Sequence, residues 1–92
     1  MSIQSVSEFE AVIGHVTRRI DRVTSERGTV PALEEAARDL QRVLQVARQP
    51  AKLKALRSVI DKVTDVITEH IAGDNVVMEQ CWDLGDYIDY RA

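Results

Sequence analysis

Val6, Phe9, Ile13, Val16, Ile20 and Val23 recur at spacings of three and four. That rhythm paints one apolar stripe along an α-helix and is incompatible with the two-residue alternation of a strand. Two overlapping capping boxes, Ser5-x-x-Glu8 and Ser7-x-x-Glu10, open the segment, and Gly28 after Arg27 supplies a left-handed stop, so the pattern predicts a first helix over 6–27. Thr29 is placed to cap a second helix over 30–48. Its Pro31 falls in the first turn, where the missing N–H costs nothing, and Glu34 and Glu35 lie near the positive end of the helix dipole. Leu33, Ala36, Ala37, Leu40, Val43, Leu44 and Ala47 form its apolar face, and Arg48-Gln49-Pro50 ends it.

Leu53, Leu56, Ile60, Val63 and Ile67 repeat the first rhythm, widened by Val59, Val66 and Ile71, and predict a third helix over 51–72. Gly73 and Asp74 provide its stop and the next cap. A fourth helix over 75–90 carries Val77, Cys81, Leu84 and Ile88 on one face, with Gly85 as a weak point. Connections this short join antiparallel neighbours. The expected fold is therefore all-α, a small antiparallel helical bundle of three long helices plus a shorter C-terminal fourth, in one domain over 1–92. Ile20-Asp-Arg-Val-Thr24 and Ile60-Asp-Lys-Val-Thr64 echo one another, but five amphipathic positions match readily by chance and a solenoid needs about three repeats.

Composition narrows the class. With 92 residues, 45% apolar and 29% charged, the chain is sized for one compact soluble domain exposing about 5,400 Å² when folded. So small a core also makes self-association a reasonable expectation. A net charge of −3 lacks the basic excess of a phosphate-backbone binder, so nucleic acid is not an expected partner. A single cysteine, Cys81, points to a reducing compartment, with cytoplasm the default. MSIQSVSEFE has no cationic or apolar leader pattern, and no apolar run approaches the roughly 20 residues of a membrane span.

The residues that usually carry chemistry are scattered. Gly14, Gly28, Gly73 and Gly85 stand alone, without phosphate-binding spacing. His15 and His70 fall roughly 15 Å apart along a bundle axis, too far to share an ion. His70 with Cys81 is the remaining pairing for a metal-binding or catalytic bundle, but a histidine beside a negative helix C-terminus explains His70 as well. Asp61, Asp65 and Glu69 recur on the third helix opposite its apolar stripe, with Lys54, Arg57 and Lys62 nearby, and read as a solvated face. Glu69 directly precedes His70, so no Glu-x-x-His pair of a carboxylate-bridged metal bundle is present. No catalytic, cofactor or metal site is expected.

The C-terminal segment differs from the rest. Residues 1–73 hold eleven basic and ten acidic side chains, whereas 74–92 hold one and five, and Trp82, Tyr87 and Tyr90 fall in that acidic stretch. Aromatic anchors inside a charged rim suit docking on a basic protein surface, so Trp82, Asp83, Asp86, Tyr87, Ile88, Asp89 and Tyr90 are the expected partner-binding residues. Tyr87 and Tyr90 lead that set, because core closure by Trp82, Leu84 and Ile88 is the stronger reading of Trp82. Arg18, Arg19 and Arg22 form a basic patch off the first stripe, able to meet the acidic segment of a second copy and build a homodimer. The expected function is non-catalytic protein–protein binding by a cytoplasmic regulator, adaptor or chaperone-like protein. An acidic neutraliser of a basic protein, of antitoxin, immunity or phage-inhibitor type, is the nearest alternative.

Overall fold

The computed structural model describes residues 2–71 and 73–92. Among them the chain forms α1 (Val6–Arg27), α2 (Pro31–Gln45), α3 (Pro50–Ala55), α4 (Arg57–His70) and α5 (Asn75–Tyr90), with no strand. The bounds of α1 are those its stripe predicts. Ser5 Oγ accepts from the Glu8 N–H at 3.2 Å, while the Glu8 carboxylate accepts from the Gln4 N–H at 3.1 Å, one residue earlier than in an ideal capping box. At the other end Gly28 takes φ 92 and donates its N–H to the Thr24 carbonyl at 3.0 Å. That left-handed backbone favours glycine.

Four expectations about the elements are corrected. Thr29 does not cap α2: Val30 holds the cap position without a side-chain bond, and Pro31 at the first helical position removes one donor that would need a partner. The helix stops at Gln45 rather than 48, where Val46 and Ala47 donate to the Val43 and Leu44 carbonyls at 3.1 and 3.2 Å, a tight three-residue turn that keeps Ala47 buried. The predicted third helix is two. Leu56 donates to Leu53 and accepts from Val59, both at 3.0 Å, and this tight turn separates α3 from α4. Leu53 and Ile60 are both fully buried on either side of it while Leu56 stays half-buried, and α3 touches α5 as well as α4. The predicted end at position 72 lies outside the described residues. The C-terminal helix is not the short one: α5 has 16 residues, against 15 in α2 and 14 in α4.

The long helices form an all-helical bundle in which α1 and α4 each pack against both α2 and α5. Their shared core holds Phe9, Ile13, Val16 and Ile20 from α1, Leu33, Leu40 and Val43 from α2, Ile60, Val63 and Ile67 from α4, and Val77, Cys81, Leu84 and Ile88 from α5. Full burial of each large apolar side chain contributes about 1.5–3 kcal/mol. Asp39 is buried among these helices, 3.3 Å from Arg42 Nη1 and 3.9 Å from Lys62 Nζ. Lys62 also bonds Glu35 at 2.5 Å, which joins α2 to α4. The accessible surface is 5362 Å², in line with the size scaling. No helix among the described residues is long and apolar enough to cross a membrane.

Candidate interaction surface

Each residue advances about 100° around a helix, so the α5 face opposite Val77, Cys81, Leu84 and Ile88 presents Glu79, Trp82, Asp83, Asp86 and Tyr90. Val76, Trp82 and Tyr90 are 68%, 57% and 82% exposed, and they are the large apolar side chains left in solvent among the described residues. All three belong to α5. Trp82 therefore does not close the core, contrary to the stronger sequence expectation. Ile88 is corrected in the opposite direction: it lies beside Leu84 at 1% exposure and offers no surface to a partner. Tyr87 is half-buried, its ring stacked on Phe9 with centroids 4.5 Å apart, so it anchors α5 to α1. Asp83 is half-buried on the side of α5 that faces α1, and Asp86 is exposed.

On the other flank of α5 a groove of about 320 Å³ runs between α4 and α5. Arg57, Asp61, Thr64 and Asp65 form its α4 side, and Trp82 and Asp86 its α5 side, over Ile60, Cys81 and Gly85. Arg57 reaches across it, donating from Nε to Asp89 at 3.0 Å and from Nη1 to Asp61 at 2.7 Å. Burial opposes the charge on Arg57, but the bonds to Asp89 and Asp61 outweigh it and raise its pKa above the ordinary guanidinium value. Gly85 makes this position possible, because a Cβ there would stand 2.7 Å from Arg57 Nη2. Asp65 and Asp86 line the same groove and form no ion pair among the described residues.

The other sequence candidates do not converge. His15 is exposed, with Nδ1 3.4 Å from Gln80 Nε2. The backbone carbonyl of His70 accepts from Arg27 at 3.2 Å. Cys81 is buried, which pushes its thiol up to about 11 despite a hydrogen bond with Thr64. Thr64 and His70 are separated by about 9 Å along α4, so Cys81 and His70 occupy different levels. Among the described residues no group of three or more His, Cys, Asp and Glu is placed to hold a metal ion. Within the basic patch, Arg19 pairs with Asp74 at 2.6 Å and Arg22 with Glu26 at 3.3 Å, which leaves Arg18 outward. Asp74 is held below its usual carboxyl value, chiefly by the Val77 N–H and further by Arg19.

Sequence reasoning passed over Arg57, Asp65 and Gly85 as parts of a site. A glycine inside an otherwise regular helix, at a cost of about 1 kcal/mol relative to alanine, is the one local signal that something approaches closely there. The pairing of Asp61 and Asp89 through Arg57 depends on the register between α4 and α5, which no local pattern encodes. Comparisons with protein-family models, with curated proteins and with solved structures give no match.

Proposed function

We propose that this chain is a non-catalytic protein-binding module, of adaptor or regulator type, whose α5 face docks on a basic segment of another polypeptide. The observation that carries this reading is the gathering of Val76, Trp82 and Tyr90, the exposed large apolar side chains among the described residues, on one helix whose outward positions include Glu79 and Asp86. Exposed aromatic side chains supply the contact area of an interface, and surrounding charges select and orient the partner. A foreign partner fits better than a second copy, because Arg19 and Arg22 are already engaged within the chain. An unpaired cysteine favours a reducing, cytoplasmic setting.

The rigid presentation of that face follows from an antiparallel, up-and-down arrangement, which we include in the proposal. Arg91 reaches Gln4 at 2.9 Å, Arg19 reaches Asp74, and Arg48 reaches Glu10 at 2.9 Å, so the start of α1 meets the ends of α2 and α5.

Selection of a random peptide library on the immobilised full chain, with the E79K/D86K variant as counter-target, tests the function. Enrichment of peptides that combine Arg or Lys with bulky apolar residues, and that the variant fails to retain, is the expected result. An enriched set without cations, or equal retention by both proteins, overturns the reading.

A further inference from the structure

We infer that the groove between α4 and α5 receives an arginine side chain of the partner; this rests on the protein-binding reading and names its central contact. Two carboxylate rungs cross the groove. Asp61 of α4 and Asp89 of α5 form the first, and Arg57 fills it with a guanidinium seated over Gly85. Four residues further along α4 stands Asp65, and three residues back along α5 stands Asp86. These lie about one helical turn, roughly 4.5–6 Å along the helix axes, from the first rung. Both line the groove, both are exposed, and neither has an ion-pair partner among the described residues.

Trp82 forms the wall beside this second rung. A cation over an indole face is attracted by the ring's negative face, and arginine adds planar stacking with a fork of donors suited to carboxylates. Lysine brings a compact ammonium, which lacks the planar fork that pairs bidentately with a carboxylate and stacks on an aromatic face. The groove volume of about 320 Å³ is at the lower end of small-ligand pockets, about 300–1,000 Å³, and leaves room for a side chain to enter. Arg57 demonstrates the fit: the same two helices already hold one guanidinium between an aspartate on each. The partner's arginine enters one turn further on, at the outer rim of the groove where Asp65 and Asp86 stand, with the indole of Trp82 beside it.

Titration of the ¹⁵N-labelled full chain with blocked tri-arginine, tri-lysine and tri-citrulline peptides tests this directly. Tri-arginine is expected to shift the Trp82 indole N–H and the amides of Asp65 and Asp86, and to bind at least fivefold more tightly than tri-lysine. Tri-citrulline, the uncharged isostere, is expected to leave the spectrum unchanged. D65N/D86N is expected to weaken tri-arginine at least tenfold with its circular dichroism intact, and D86N alone at least threefold should the double variant unfold. Equal binding of tri-lysine, unchanged binding by the aspartate variants, or no shifts at all overturns the arginine site. Shifts confined to Glu79, Asp83 and Tyr90 also overturn it but leave the protein-binding reading standing, whereas that reading fails separately when library selection yields no cationic peptides.

Discussion

Replacing Gly85 by alanine places a methyl carbon 2.7 Å from Arg57 Nη2 and 2.9 Å from its Cζ, inside contact distance. The obstacle is the end of a long side chain, so Arg57 swings outward and α5 stays in place. That movement gives up its bonds to Asp61 at 2.7 Å and to Asp89 at 3.0 Å. The two acids are 68% and 41% exposed, so each bond belongs to the surface class worth about 0.2–1 kcal/mol, and about 1 kcal/mol is lost in all. Against this, a helix interior favours alanine over glycine by about 0.8–1 kcal/mol. Gly85→Ala alone should therefore change stability by less than about 0.5 kcal/mol, whereas in an Arg57→Ala background it should stabilise by about 1 kcal/mol, a coupling of about 1 kcal/mol. Urea unfolding of the four proteins, followed by far-ultraviolet circular dichroism and extrapolated to water, measures the cycle. Equal stabilisation in both backgrounds would show that Arg57 gives way at no cost. A loss above about 2 kcal/mol in the Arg57→Ala background would show that something other than Arg57 closes the space.

Ile88→Ala should cost about 2–5 kcal/mol as a buried deletion, while Trp82→Ala should cost less than about 1 kcal/mol; comparable losses by calorimetry would put Trp82 in the core. Asp74→Asn keeps an N-cap acceptor but loses the charge that pairs with Arg19. The depressed pKa of Asp74 relative to its ordinary 3.8 makes the wild-type advantage present above about pH 4 and lost as pH falls through the depressed value, which urea midpoints from about pH 6 to about pH 2 would show. The Cys81 thiol is raised from 9.0 to about 11. Its contribution is full below about pH 9 and lost as pH rises through about 11, so Cys81→Ala should flatten the alkaline decline in stability. Iodoacetamide should label the native thiol only through opening of the fold; labelling at the rate of an exposed cysteine would contradict its burial.

The elements that could be read from sequence are those whose information is local. The stripe from Val6 to Val23, with Ser5 before it and Gly28 after it, sets both ends of α1 because each signal acts within a few residues. Leu56 carries no comparable mark: neither proline nor glycine stands at the break, and Leu53 and Ile60, seven residues apart, continue one apolar stripe across it. Residue type misled at Trp82. At about 100° per residue it points away from the Val77, Cys81, Leu84 and Ile88 stripe, so its angle on the helix contained the answer that its apolar character obscured. Ile88 lies on that stripe and was legible as core by the same geometry. The groove was not legible, because Asp61, Asp65, Asp86 and Asp89 meet only through the packing of α4 on α5, and Asp61 and Asp65 read alone are indistinguishable from a solvated row.

Trp82 is the chain's only tryptophan, so its emission reports on the acidic α5 face without interference. Titration of the full chain with polyarginine, followed by that emission, tests the binding reading most directly. The expected result is a saturable shift that polyglutamate does not produce, that weakens as salt screens the charges, and that disappears in E79K/D86K. An unchanged emission, or an equal shift in the charge-reversed variant, would contradict it.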